Sequence, residues 1–350
     1  MKCSLSTLCA LMLIIVSLLA VNFKSAEAEV IDLGTIGKLD DNAYDVNNSG
    51  QVVGWTSTSD GVRHAFLYNS VDDTITDLGT LGGNDSFAMG MNKHGQVVGY
   101  SNISDNIQRA FLYDGGNMTD LGTLGANYSF ALSINNKGQV VGYSYNIEGQ
   151  KRAFLYESGV MTDLGTLGGD NSMALDINDN GQVVGYSNSE SGNIHAFLYE
   201  NNTMTDLGSL GGDVSMANAI NNKGQIIGWS SNMYNERHAF LYENGIMKDL
   251  GTLGGAHSDA TDINESGKIV GHSYNAFGEI HAFIYENGTM TDLDTLGGSL
   301  SYAFSINDYD QIVGRAMTSS GEQHAFLYDK GAMTDLDIFN GFYSSAINQE

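Results

Sequence analysis

Seven residues that could contact a ligand occupy one position of a repeated pattern, directly after the glycine of Val-Val-Gly or its equivalent. An aromatic side chain at a strand end can stack on the face of a sugar ring. The alternative is that these rings pack between neighbouring sheets. A histidine and an arginine interrupt the aromatic series, and we expect a ligand site at such an irregularity. The seven residues are Trp55, Tyr100, Tyr143, Tyr186, Trp229, His272 and Arg315.

A second series places a histidine or an arginine directly before a repeated Ala-Phe pair. Seven cations around a ring would suit an anionic ligand. The interpretation that we favour is structural: each cation contacts the aspartate of the following Asp-Leu pair, a partner that histidine and arginine bind equally well. The series comprises His64, Arg109, Arg152, His195, His238, His281 and His324.

Motifs typical of enzymes are missing from the sequence, which contains no Gly-x-Ser-x-Gly, no His-Glu-x-x-His and no phosphate-binding loop. The sequence therefore favours a protein without catalytic activity. A hydrolase or lyase acting on polysaccharide is the alternative. Its acid–base residues would be His257, Asp259, His272 and Arg315.

One hairpin resembles the beginning of a calcium-binding loop, with Asp176, Asn178 and Asn180 at alternate positions before Gly181. The glutamate expected twelve residues from its start is replaced by Ser187. Asparagine and glycine are also what a β-hairpin turn requires. We therefore predict neither a metal nor another cofactor, with calcium as the alternative.

The first 28 residues have the layout of a secretory signal peptide. Lys2 precedes an apolar run, Leu8–Val21, and an Ala-x-Ala pattern ending at Ala28 predicts cleavage there. A run of 14 residues is shorter than the roughly 20 that a membrane-spanning helix needs, and an uncleaved anchor is the alternative. Because Cys3 and Cys9 leave with this segment, the mature chain has no disulfide. We predict a secreted protein, extracellular or periplasmic, without a membrane span after cleavage.

Charge restricts the partners. The 350-residue chain has a net charge of −26, and losing two lysines and one glutamate with the signal peptide makes it −27. Such a surface repels nucleic acid and anionic lipid. We predict a monomer that binds a glycan or a protein, and no nucleic acid.

These residues belong to a repeat. Asp-Leu pairs recur first after 45 residues and then six times after 43 residues, which gives seven complete units and an eighth that breaks off at residues 346–350. Each unit has four short runs of Val, Ile, Phe, Tyr and Thr, separated by Gly, Asn and Asp, as strands and turns require. In one unit the predicted strands are Ala174–Asn178, Gln182–Ser187, His195–Tyr199 and Met204–Gly208.

Four strands in 43 residues predict one blade of a β-propeller. We therefore predict an all-β fold in which residues 29–350 form one propeller with seven complete blades. A lone fourth strand, Val30–Gly34, precedes them, and an eight-bladed ring in a longer chain is the alternative. The first turn of each unit should have positive φ. It contains Gly50, Gly95, Gly138, Gly181, Gly224 and Gly267, and Asp310 in unit seven.

The words His-Ala-Phe-Leu-Tyr, Asp-Leu-Gly-Thr-Leu-Gly-Gly and Ile-Asn-x-x-Gly-Gln-Val-Val-Gly resemble the HAF repeat family of extracellular bacterial proteins. The resemblance covers residues 30–350 and implies secretion and a repeat architecture, but no activity. Arg109 and Arg152 depart from it, since they replace the histidine that names the family. The sequence as a whole predicts a secreted, non-enzymatic binding scaffold. A structural protein of the cell envelope or matrix is a further alternative.

Overall fold

The structure is a computed structural model that describes residues 12–15, 19–24, 27–32, 41–47, 49–104 and 107–336, with side chains from residue 42 onward. These residues form 31 β-strands. None of them lies in a helix that could span a membrane. Twenty-eight of the strands form seven four-stranded antiparallel sheets, which confirms the predicted all-β propeller architecture with seven complete blades.

The strands of each blade follow one another in chain order. Blade 1 comprises β4 (Asp41–Val46), β5 (Gln51–Ser57), β6 (Arg63–Asn69) and β7 (Thr74–Asp77). Blade 2 comprises β8 (Ser86–Met91), β9 (Val97–Ser104), β10 (Ile107–Asp114) and β11 (Asn117–Asp120). Blade 3 comprises β12 (Gly125–Ile134), β13 (Val140–Asn146), β14 (Lys151–Glu157) and β15 (Val160–Asp163). Blade 4 comprises β16 (Gly168–Ile177), β17 (Val183–Ser189), β18 (Ile194–Glu200) and β19 (Thr203–Asp206). Blade 5 comprises β20 (Gly211–Ile220), β21 (Ile226–Asn232), β22 (Arg237–Glu243) and β23 (Ile246–Asp249). Blade 6 comprises β24 (Gly254–Ile263), β25 (Ile269–Asn275), β26 (Ile280–Glu286) and β27 (Thr289–Asp292). Blade 7 comprises β28 (Gly297–Ile306), β29 (Ile312–Thr318), β30 (Gln323–Asp329) and β31 (Ala332–Asp335).

Three further strands precede blade 1: β1 (Met12–Ile15), β2 (Leu19–Lys24) and β3 (Glu27–Asp32) form their own antiparallel sheet. The strand predicted at Val30–Gly34 overlaps β3 at residues 30–32, but it is not alone, because β3 pairs with β2 along its length. Residues 33 and 34 lie outside the described residues. The rest of the predicted signal peptide, and residues 337–350 with the incomplete eighth unit, lie outside the described residues.

The first strand of each blade lies innermost. Residues of all seven first strands line one central channel with a volume of about 580 Å³. The fourth strands are the most exposed. In blades 3 to 7 the first strand is longer than predicted; β16, for example, begins at Gly168 rather than at Ala174 because its Leu-Gly-Gly connection still pairs with β17.

The core lies between blades. Between blades 3 and 4, Val141 and Ala153 pack against Ala174, Val183 and Phe197. The phenylalanine of each His-Ala-Phe motif, or of its Arg variant, is fully buried in such a cluster. These residues are Phe66, Phe111, Phe154, Phe197, Phe240, Phe283 and Phe326.

An asparagine in the first hairpin ties each blade to the next. Asn178 accepts the N–H groups of Asn180 and Gln182, both at 3.0 Å. Its Nδ2 donates to Oε1 of Gln182 at 2.8 Å and to the carbonyl of Asn221, 43 residues later, at 2.9 Å. The same bond to the next blade starts from Asn47, Asn92, Asn135, Asn178, Asn221 and Asn264.

The turn that carries this asparagine has the predicted backbone. Gly181 has φ of +82°, and Asp310, its replacement in blade 7, has φ of +64°. All seven positions of the series have positive φ, which confirms the prediction.

The glycine of Val-Val-Gly is required for a different reason. A bulge in β16 between Ala174 and Asp176 brings the carbonyl oxygen of Met173 to 2.0 Å from the position that a Cβ of Gly185 would occupy. A real Cβ cannot come so close, so the strands would have to separate.

We expect Gly185→Ala to lower the free energy of unfolding by about 3 kcal/mol, at the upper end of what over-packing usually costs. The control Thr205→Val, on the exposed fourth strand of blade 4, should change it by no more than about 0.5 kcal/mol. Urea melts of both variants measure this. Equal midpoints for Gly185→Ala and wild type would contradict the close approach of the two strands.

Candidate functional site

The antiparallel order of strands gives the propeller two faces. The connecting face carries the links between blades and the turn between the second and third strand, which in blade 1 are residues 78–85 and 58–62. The hairpin face carries the other two turns of each blade. The seven predicted ligand-binding residues lie on the second strand, between the Val-Val-Gly glycine and the connecting face.

Three of these seven residues contact an aromatic ring on the first strand of the next blade. Trp55 is only 8% exposed, and its ring is edge-on to Phe87 with centroids 5.8 Å apart. Tyr100 contacts Phe130 in the same way at 5.0 Å. The rings therefore contribute to packing between blades, and the structure brings the seven residues together only with their neighbours, not around one site.

Cations cover further ring surface. Arg63 lies 4.8 Å from the centre of the Trp55 ring, and Arg237 lies 3.8 Å from that of Trp229. Tyr186 is half-buried, and its hydroxyl contacts the sulfur of Met173 at 3.4 Å.

The interruption of the aromatic series is an ionic network. Asp259 is bound by Arg237 at 2.5 Å and by Nε2 of His272 at 3.3 Å. The His272 ring is edge-on to Tyr302 at 4.7 Å, and Arg315 lies 4.5 Å from the centre of the same tyrosine ring. The network thus links blades 5, 6 and 7 where blades 1 to 3 use aromatic contacts.

All four predicted acid–base residues lie at or beside this network. Nδ1 of His257 accepts the backbone N–H of Arg237 at 3.0 Å. Nδ1 of His272 is buried without a hydrogen-bond partner among the described residues, and its Nε2 contacts Asp259. Nδ1 of His257 thus joins blade 6 to blade 5, and the carboxylate of Asp259 is shared between Arg237 of blade 5 and His272 of its own blade.

The histidine or arginine before Ala-Phe binds the aspartate that was predicted. Nδ1 of His195 lies 2.9 Å from Asp206, and the same carboxylate accepts the N–H of Gly208 at 2.7 Å. Arg152 binds Asp163 in the same way at 3.1 Å. The other pairs are His64–Asp77, Arg109–Asp120, His238–Asp249, His281–Asp292 and His324–Asp335.

Because either cation can hold the aspartate, we expect His195→Arg to unfold at the same urea concentration as wild type. His195→Leu should lower the free energy of unfolding by about 1 kcal/mol. This is less than a hydrogen bond to a charged group usually contributes, because Asp206 is largely exposed. Equal losses in both variants would show that the imidazole ring contributes by packing rather than by its bond to Asp206.

Three of the carboxylates that line the channel come from first strands: Asp45, Asp176 and Asp262. Each accepts backbone N–H groups from its own blade and from the following blade; Asp176, for example, accepts those of Ile177 and Ile220. Burial raises the pKa of Asp45 to about 7, and repulsion from the other two carboxylates adds to this effect. Burial also raises the pKa of Asp176 and Asp262.

These carboxylates make stability depend on pH in a defined direction. The folded protein retains a proton on Asp45 that the unfolded chain releases near pH 3.8, so the contribution of Asp45 to stability falls as pH rises towards about 7. Urea melts across this range should show Asp45→Asn gaining stability relative to wild type as pH increases. A difference that is constant with pH would contradict the raised pKa.

The predicted alternative of a calcium loop involves residues that have other partners. Asp176 faces the channel, and the side chain of Asn178 forms the bonds to its own turn and to Asn221.

An aromatic groove lies on the connecting face between blades 2 and 3, and sequence reasoning missed it apart from Tyr143. It has a volume of about 540 Å³. Phe130 and Tyr143 stack at 4.7 Å, and burial raises the pKa of the Tyr143 hydroxyl to about 12. The residues lining the groove include Gln108, Asn127, Tyr128, Phe130, Tyr143 and Tyr145.

The same face exposes large apolar side chains at the tips of turns. Ile147, Met233, Tyr234 and Phe277 are between 75% and 88% exposed. Each lies in the turn between the second and third strand of its blade. On the hairpin face, Val71 is exposed in a turn, and Val160 and Ile246 are exposed at the first residue of a fourth strand.

The fold and these surfaces define a β-propeller. Its sequence over residues 163–253 matches the family described as "Protein of unknown function (DUF3466)". No curated protein matches the chain.

Solved structures share the architecture at low identity. A puromycin-hydrolyzing peptidase of Mycobacterium tuberculosis matches with a TM-score of 0.57 and 12% identity over 86% of this chain and 54% of that chain. The β-propeller domain of the Trilobed protease of Pyrococcus furiosus has a TM-score of 0.55 and 9% identity over 85% and 99%. The acylaminoacyl peptidase of Pyrococcus horikoshii has a TM-score of 0.55 and 10% identity over 86% and 53%. The chain thus spans about half the length of the two peptidases, and these identities show the fold alone.

Proposed function

We propose that this protein is an exported, non-enzymatic β-propeller that binds an uncharged glycan on its connecting face. Export rests on the layout of the first 28 residues. Membership of the HAF repeat family, which the repeated words suggest, is part of the same proposal. The mature chain acts as a monomer, and a protein partner on the same face is the alternative.

One observation carries the proposal: the connecting face exposes aromatic and aliphatic side chains at the tips of its turns. Phe277 is 88% exposed and Tyr234 is 76% exposed. Exposed aromatic side chains of this kind are characteristic of binding surfaces. Since the chain carries a net charge of −26, anionic ligands are repelled and affinity has to come from stacking and hydrogen bonds.

This proposal places the ligand away from most of the seven residues that the sequence predicted to bind it. Trp55 and Trp229 have arginines close to their rings, so they are poor stacking partners. Of the seven predicted residues, Tyr143 keeps a place beside a ligand, because it lines the aromatic groove. The ionic network around Asp259 gives the enzymatic alternative no support.

We expect the mature protein to bind at least one uncharged oligosaccharide in a panel of glucose, xylose and N-acetylglucosamine hexamers. Salt screens charge attraction and has little effect on stacking, so calorimetric affinity should be nearly equal at low and high salt. Polygalacturonate is the charged control and should not bind. A steep loss of affinity with salt, or binding to polygalacturonate alone, would contradict the proposal.

A further inference from the structure

The aromatic groove has a ring at a repeat position where blades 2, 4 and 6 have a side chain that bonds to the previous blade. Asp85 accepts the backbone N–H of Arg63 at 3.0 Å, and Asn171 accepts that of Lys151 at 2.9 Å. Tyr128 occupies the same repeat position at the interface of blades 2 and 3. Blades 5 and 7 have the aliphatic residues Val214 and Leu300 at this position. Blade 3 has the aromatic ring of Tyr128, which is 37% exposed.

A second ring, that of Tyr145, lies opposite the first. Blades 2 and 4 have Asn102 and Asn188 at this repeat position, and blade 6 shares the tyrosine as Tyr274. The rings of Tyr128 and Tyr145 have centroids 6.0 Å apart and planes inclined by 73°. Tyr145 also meets Tyr143 at 6.2 Å and 71°, so the three tyrosines form a corner with walls in two directions.

The remaining surface of the corner is defined by its neighbours. One face of Tyr143 is stacked on Phe130, and Lys151 lies 4.8 Å from the centre of the Tyr143 ring. Stacking surface for a ligand is therefore offered by Tyr128 and Tyr145. Tyr145 contacts Tyr143 and Tyr128 edge-on, and side chains already positioned by their neighbours lose less entropy on binding.

The chemistry of the lining selects the ligand. The groove has no charged side chain among its lining residues, although the chain carries a net charge of −26. The side-chain amides of Gln108 and Asn127 and the tyrosine hydroxyls can donate to and accept from hydroxyl groups. A volume of about 540 Å³ is ordinary for a small-ligand pocket.

We infer that the groove between blades 2 and 3 is the glycan site, and that it takes one or two pyranose rings of an uncharged oligosaccharide against Tyr128 and Tyr145. This inference rests on the proposed function and states where on the connecting face the glycan binds. One sugar face stacks on an aromatic ring, and the hydroxyls at its edge contact the amides.

The repeat itself supplies substitutions that the fold accepts. Tyr128→Asn installs the residue found at position 171, and Tyr145→Asn installs the residue found at positions 102 and 188. The matched control is Tyr274→Asn, which makes the same change at the same repeat position in blade 6, away from the groove. Tyr128→Phe keeps the ring and removes only the hydroxyl.

Affinity for the hexasaccharide panel is measured by calorimetry, and urea melts check that all variants are folded. We expect Tyr128→Asn and Tyr145→Asn each to weaken binding by about five- to tenfold, the usual worth of one aromatic contact. Tyr128→Phe should remain within about threefold of wild type, and Tyr274→Asn should be unchanged.

Each other outcome has a definite meaning. If wild type binds a hexasaccharide and both groove variants bind it equally well, the groove inference is overturned and the proposed function stands. If Tyr274→Asn loses as much affinity as Tyr145→Asn, the site is not in this groove. If wild type binds no member of the panel, the inference and the proposed function fail together.

Discussion

The hydrogen bond from one asparagine side chain to the carbonyl of its counterpart 43 residues later sets the spacing of the blades. The side-chain amide of Asn178 also forms hydrogen bonds within its own turn and to Gln182. The turn and the contact between blades therefore cannot change independently. The turn requires a residue with positive φ. The bond repeats at the inner edge of six successive blades, where it brings the first strands around the channel and the carboxylates of Asp45, Asp176 and Asp262 into one space.

The repeated His-Ala-Phe motif has one task for each residue. In blade 4 the imidazole of His195 holds Asp206, the N–H of Ala196 donates to Ser215 of the next blade at 2.8 Å, and Phe197 is fully buried. Histidine and arginine replace each other because both supply a donor to the carboxylate. Because each residue of this motif serves the fold, the proposed function places ligand recognition on residues that depart from the repeat.

Two such departures change the chemistry between blades in opposite directions. Around Asp259, polar and charged groups replace aromatic packing, and the buried carboxylate has Arg237 and His272 as its partners. Around Tyr128 and Tyr145, aromatic rings replace polar contacts and remain partly open to solvent. An internally compensated network stabilises the fold, whereas an open aromatic corner has surface that only a ligand can cover.

The sequence by itself determined the four-stranded unit, the seven blades, the positive φ at Gly181 and the pairing of His195 with Asp206, because these features depend on local turn chemistry and on contacts within one repeat. Only the tertiary structure decided which aromatic residues are available to a ligand. Trp55 and Tyr143 occupy the same repeat position, yet Trp55 packs against Phe87 of the next blade while Tyr143 lines a groove. That difference depends on the residues around each ring, and the repeat position by itself contains no record of them.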